Sequence, residues 1–229
     1  MKILCISDER DTLVYSDRIK TRFSDIDLVL GAGDLDLDYY GFIVSALNKP
    51  LLFVFGNHNL QDIECYRREY ADTFGSQPFF HPETIQSYGA TYVGGKVIRA
   101  GNLIIAGLGG SMKYNDGQNQ FTETGMFLFA LRLLPALIFN RIFHGRYVDI
   151  LLTHAAPRGI QDGNDRPHRG FKVFLWFMRA FKPKFLIHGH IHLYDINAGR
   201  FDRYGRTIVV NAYEHVVIDT EAFDGRAEH

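Results

Sequence analysis

Apolar runs of four to six residues that stop at glycine or a polar group recur along the chain, and this pattern predicts most of its elements. Residues 2–7 form a short strand-like run ending at Asp8, residues 28–30 run into Gly31-Ala32-Gly33-Asp34, and residues 51–55 end in Gly56-Asn57-His58-Asn59. Between them the spacing changes. Leu13, Val14, Ile19 and Phe23 recur at helical intervals over 11–23, a second helix is predicted over 39–47, and a polar one over 61–73. These are successive βα units, and in such sheets binding sites form where the carboxyl ends of the strands meet the loops.

After Gly75 the apolar pieces become shorter, at 90–93, 96–99 and 103–108, with glycines at the bends. Antiparallel pairing is expected there, and hence a mixed sheet. Residues 109–117 read as a flexible loop, and 149–153 as a strand ending at His154. A long polar loop follows over 159–170, then an amphipathic helix over 171–181. The strand 185–187 stops at His188-Gly189-His190-Ile191-His192, where His190 and His192 share a side, close enough to bind one metal ion or two neighbouring ones, and His188 points the other way. Residues 207–219 read as one or two closing strands. Alternating strands and helices without a linker-like run predict an α/β fold and one domain over 1–229, with an apolar helical insertion near 122–143.

Composition narrows the function classes. With 229 residues, 46% of them hydrophobic, the chain can close one sizeable core. A formal charge of −1 and a pI near 6.8 leave no basic footprint for nucleic acid. The first residues turn acidic too soon for a secretory signal, so the chain is expected to be cytoplasmic. Cys5 and Cys65 make neither a disulfide framework nor a metal-type pair. The most apolar stretch, 126–143, is interrupted by Arg132, Pro135, Asn140 and Arg141 and is a poor transmembrane candidate. A buried or capping helix is the first reading, a homodimer surface or hydrophobic lid the second, and an interfacial membrane contact the third.

Collected from strand ends, Asp8, Asp34, Asn57, His58, His154, His190 and His192 bring together carboxylate, amide oxygen and imidazole. These donors suit Mn, Fe, Zn, Co or Mg, and the absence of thiolates argues against a structural zinc site. The series Asp8, Gly33-Asp34, Gly56-Asn57-His58, His154 and Gly189-His190-Ile191-His192 resembles the calcineurin-like metallophosphoesterase family, whose motifs run Asp-x-His, Gly-Asp, Gly-Asn-His-(Asp/Glu), His and Gly-His-x-His. Each block alone is weak; five in this order are specific.

The resemblance implies a four-layer αββα sandwich with two mixed sheets and one or two divalent metal ions, Mn first among them. Carried over block by block, Asp34 bridges two ions, Asp8 and His192 hold the first, and Asn57, His154 and His190 the second. The implied reaction is hydrolysis of a small phosphorylated substrate, a phosphodiester foremost, by in-line attack of a metal-activated water with His58 as general acid.

Two positions depart from the family pattern. Arg10 replaces the histidine of Asp-x-His, and a guanidinium has no lone pair for a metal. It is expected to reach the first-metal region, weaken that ion and contact phosphate instead; the alternative is that it turns to solvent or pairs with Glu9 or an aspartate at the rim, with water filling the gap. Asn59 stands where the family often has a carboxylate, so His58 is oriented by an amide. These departures also allow a degenerate member that binds a phosphorylated ligand or a partner without turnover. In the loop after His154, Arg158, His168 and Arg169 are candidate phosphate contacts, whereas Asp36 and Asp38 read as helix-capping residues.

Overall fold

The computed structural model describes residues 1–58, 63, 88–194 and 199–222. Strand β1 (Lys2–Ser7) is buried at every position after Lys2. Residues Leu28–Gly31 (β2) and Leu51–Phe53 (β3) are buried throughout. Such strands are covered on both faces, which is why their apolar runs do not alternate.

Two larger sheets supply that cover. In the first, β1, β2, β3 and β4 (Ala90–Tyr92) lie parallel in that order, with β13 (Glu214–Asp219) antiparallel on the outer side of β1. In the second, β6 (Leu103–Leu108), β9 (Ile150–Thr153), β10 (Phe185–His188) and β12 (Thr207–Asn211) are parallel. This sheet is edged by antiparallel β5 (Val97–Ala100) and β11 (Phe201–Tyr204). A small parallel pair, β7 (Ser111–Met112) and β8 (Gln120–Phe121), stands apart.

Alternate residues of each strand divide between two layers. Ile3, Cys5, Leu28 and Leu30 meet Ile105, Ile150, Leu152, Phe185 and Ile187 between the sheets. Leu4, Ile6 and Val29 face outward onto helices α1 (Ile19–Arg22) and α2 (Leu37–Leu47). Ile104, Leu151, Leu186 and Val209 face the other way onto α3 (Glu123–Leu131), α4 (Leu134–His144) and α5 (Lys172–Phe181). The expected αββα sandwich with two mixed sheets is therefore the architecture.

Local competition explains the departures from the sequence pattern. Only Ile19–Arg22 of the expected helix over 11–23 is helical. Asp11 Oδ1 accepts from the Leu13 and Val14 amides, and the Ser16 hydroxyl donates to the Leu13 carbonyl, so side chains take the bonds a helix needs. The polar helix over 61–73, with Cys65, lies outside the described residues. Residues 207–219 make two strands of different sheets, the chain crossing at Ala212 and Tyr213.

The apolar stretch forms two helices bent by 43°, with Pro135 in the first turn of α4, where a missing amide proton is tolerated. Met126, Ala130, Leu133 and Leu137 are buried on the second sheet, whereas Leu128, Ile138, Phe139, Ile142 and Phe143 are exposed. Among the described residues no single helix is long and apolar enough to cross a membrane.

Candidate active site at the seam of the two sheets

The motif-bearing strand ends interlock across the seam. Asp8, Asp34 and His190 have φ of 66°, 58° and 66°, in the left-handed region that non-glycine residues avoid unless the surroundings over-determine it. Those surroundings are hydrogen bonds with the backbone of other motifs. The Asp8 amide donates to the Gly33 carbonyl at 3.1 Å, and the His190 amide to both Asp8 carboxylate oxygens at 3.0 and 2.9 Å. The His58 amide donates to Asp34 Oδ1 at 2.7 Å.

At the centre, His154 is fully buried, and its Nδ1–H donates to the Ala32 carbonyl at 2.8 Å. That bond sets the tautomer and leaves Nε2 facing Asp34 Oδ2 at 3.3 Å and Asn57 Oδ1 at 3.2 Å. One ligand atom each from Asp34, His154 and His190 lies within 4.8 Å of the others. The second ring is fixed in the same manner, His190 Nε2–H donating to the Pro167 carbonyl at 2.9 Å. Acceptors from both sheets thus converge with no donor among them except a proton on His154 Nε2, and the donor set fits a divalent cation.

Ionisation follows from the same geometry. Burial opposes a charged His154 ring, but Asp34, by charge and hydrogen bond, and then Asp8 outweigh it and raise its pKa to about 9. Burial likewise opposes an ionised Asp34, yet His154 and the His58 amide hold its pKa down at about 2. His190 is pushed down to about 3 by burial and by the charge on His154, so it is neutral and ready to ligate. In the metal-free protein a proton on His154 therefore occupies the place of a cation at neutral pH. Loading a metal displaces that proton, so Mn affinity is expected to rise roughly tenfold per pH unit from pH 7 until it levels near 9. Calorimetric titration with Mn in buffers of different ionisation enthalpy reads both the slope and the released proton.

The other ligand pair is looser. His192 Nε2 is 4.0 Å from Asp8 Oδ1, and its Nδ1 contacts the Tyr194 hydroxyl at 2.8 Å and Glu9 Oε1 at 3.8 Å. Arg10, expected to reach this region, instead donates from Nη2 to Asp36 Oδ2 at 2.8 Å and from Nε at 3.2 Å. Its guanidinium also lies over the Tyr15 and Tyr39 rings. A planar fork pairs better with a rim carboxylate and two aromatic faces than beside a cation site, so Arg10 is drawn away from phosphate contact. Asp36 does occupy the position before α2, but its carboxylate makes no capping bond. His58 is exposed, and Asn59 lies outside the described residues.

Beside His190 runs the 158–170 loop. Its Arg158 is bound by Asp162 Oδ2 at 2.8 Å, and Asp162 also accepts the Gly159 and Gly170 amides, which knits the loop closed. His168 pairs with Asp165, and its ring sits 5.1 Å from that of His190. Arg169 is exposed. His188 is buried away from the cluster, bonded to Gln161 at 2.8 Å, with its pKa pushed down to about 4 by burial.

Three contributors escaped the sequence reading: Gln161, Tyr114, whose hydroxyl takes the Asn57 amide at 3.4 Å, and the carbonyl of Pro167. Gln161 and Tyr114 sit in polar loops without partner spacing, and a carbonyl leaves no trace in residue identity.

A family model described as calcineurin-like phosphoesterase matches residues 1–194. No curated relative matches the chain. Among solved structures, the protein TT1561 of Thermus thermophilus is similar with TM-score 0.61 and 14% identity, over 96% of this chain and 95% of that one. A structure described as a novel archaeal phosphodiesterase matches with TM-score 0.48 and 14% identity, over 96% and 94%. A metallophosphoesterase from Sphaerobacter thermophilus matches with TM-score 0.40 and 14% identity, over 96% and 84%. Likeness at these identities concerns the fold alone, and the fold argument rests on the first.

Proposed function

The chain belongs to the calcineurin-like phosphoesterase family, and from that premise we propose that it is a metal-dependent hydrolase of a phosphodiester. One observation carries the reading: ligand atoms of Asp34, His154 and His190 lie within 4.8 Å of one another, with Asn57 Oδ1 3.2 Å from His154 Nε2 and the exposed His58 bound through its amide to Asp34.

Asp34, Asn57, His154 and His190 would hold one divalent ion, and Asp8 and His192, with Asp34 shared, a second. Bound ions of this kind supply Lewis acidity toward phosphoryl oxygen and acidify a coordinated water. The chain's own residues do the rest. The His58 amide fixes the Asp34 carboxylate, and the exposed His58 ring would give its proton to the leaving oxygen. His168 and Arg169 orient the phosphate, and Asp162 holds Arg158 at the mouth. Oxygen and imidazole donors accept Mn, Fe, Zn, Co or Mg, with Mn the first to test.

The test is hydrolysis of bis-p-nitrophenyl phosphate against p-nitrophenyl phosphate with Mn added. Faster turnover of the diester is expected, and His58→Ala is expected to lower kcat by roughly 10²–10⁴. Turnover of neither ester with any divalent ion would leave a family member that binds phosphorylated ligands without catalysis. Metal stoichiometry separates the two ion positions. The parent chain is expected to bind one Mn tightly at the Asp34, His154 and His190 cluster. Arg10→His restores the ligand the family pattern has there and raises occupancy toward two; unchanged occupancy on equilibrium dialysis refutes this.

A further inference from the structure

A cavity of about 460 Å³ lies beside the candidate active site, and its wall is strongly one-signed: Lys113, Arg158, Arg166, Arg169 and Lys172 face a single carboxylate, Glu123. Two of the cations are already matched, Arg158 by Asp162 and Lys113 by the exposed Asp116. Among the described residues no carboxylate pairs with Arg166, Arg169 or Lys172, and all three are exposed.

Two helices also begin on this wall. Thr122 and Glu123 open α3, and Lys172 opens α5, whose N-cap Phe171 has no side-chain capping bond. Glu123 Oε1 takes the Val173 amide at 2.6 Å, and its single negative charge is outnumbered by the cations of the wall. Unmatched guanidinium and ammonium groups in one concavity favour an anion.

The cavity adjoins the ligand cluster through a single loop. The Pro167 carbonyl accepts from His190, and the His168 ring lies against the same imidazole, while Arg166 and Arg169 flank these two residues. We infer that the substrate carries a second phosphate group besides the ester that is cleaved, and that this cavity seats it. The inference rests on the phosphoesterase reading above. A phosphate matches the site better than a carboxylate because its three oxygens engage several guanidinium forks and the charge is doubled. A half-open concavity of this size, on a chain of net charge −1, does not match the extended basic face that a nucleic-acid strand requires.

Two measurements test it, both on the full chain. Metal-free protein, stripped with EDTA, is dialysed against radiolabelled inorganic phosphate. One phosphate per chain is expected, and Arg166→Gln/Lys172→Gln is expected to weaken it roughly tenfold or more with an unchanged circular dichroism spectrum. No bound phosphate, or indifference to the double substitution, overturns the inference.

The Mn-loaded protein is then given the 5′-(p-nitrophenyl phosphate) of thymidine with and without a 3′-phosphate. The 3′-phosphorylated ester is expected to have a kcat/KM higher by roughly tenfold, and the double variant to close that gap. Equal kcat/KM for the two esters overturns the substrate assignment even where phosphate binds. If the metal-free protein binds phosphate but neither ester nor bis-p-nitrophenyl phosphate turns over with any divalent ion, the catalytic reading itself has failed, and the substrate assignment falls with it.

Discussion

His154→Ala is expected to give a folded protein that has lost its tight metal ion and its phosphoesterase activity together. The imidazole supplies the Nε2 that faces both Asp34 and Asn57, and no other side chain among the described residues is placed to replace it. Metal affinity should fall by at least roughly a hundredfold, more than the effect usually seen for residues that merely support a ligand. In the metal-free protein the same change strips Asp34 of the partner that keeps its pKa near 2, at a cost of about 3 kcal/mol typical of breaking a buried charge pair. The Asp34 contribution is present above the usual carboxylate range and is lost as pH falls toward 2, so parent and variant should differ most near neutrality and converge in acid.

His190→Ala provides the contrast. Its ring is neutral and bonded only to a carbonyl at 2.9 Å, so metal and activity are lost as in His154→Ala, whereas metal-free stability falls by only about 1 kcal/mol. Urea titrations of both variants, with and without EDTA, read these differences. Full activity in either variant sinks the ligand assignment.

The second large effect is expected where no ligand changes. A Cβ on Gly56 would lie 2.0 Å from Asp34 Oδ1 and 2.6 Å from His154 Cε1, so Gly56→Ala must drive apart the two groups that define the cluster. The φ of Gly56 is not in the left-handed region, and the conflict is therefore one of space and not of backbone strain. Gly189→Ala repeats the effect at the other pair, its Cβ meeting Ser7 Oγ at 2.5 Å and Asp8 Oδ2 at 2.6 Å.

A displacement of about 1 Å in a catalytic constellation costs on the order of 10² in rate, so each alanine should approach the loss caused by removing a ligand. Stability should fall by about 1–3 kcal/mol from overpacking. Gly199→Ala, with nothing within 4 Å among the described residues, is the control expected to change neither. A Gly56→Ala protein with normal kcat and normal Mn affinity would show that the cluster tolerates rearrangement and is not the reactive centre.

Residue order by itself determined the strand ends and the chemistry they carry. Runs such as Leu28 to Leu30 and Phe185 to Ile187 are local signals, and a short apolar run stopped by glycine and a polar group needs no distant partner to be read. The identity of Asp8, Asp34, Asn57, His154, His190 and His192 as oxygen and nitrogen donors is equally intrinsic, as is their order. The glycines next to them were legible as punctuation, but the reason for them was not, because it lies in carboxylates of another motif.

What only the tertiary structure decided is convergence and direction. Register across the sheets brings Asp34 to His154 and the His190 amide to Asp8, a separation of 182 residues in the second case. Arg10 turns to Asp36, a choice between two nearby anionic regions that residue spacing does not contain. Residues 207–219 split between two sheets because Ile208 and Val210 pack between the sheets beside Phe185 and Ile187, while β13 pairs with β1. The basic cavity gathers Lys113 with residues 158–172 from segments that, read singly, are ordinary polar loops. Strand formation and donor chemistry are short-range properties of the chain; the place where side chains meet is set by long-range packing, which has no expression in residue order until the layers close.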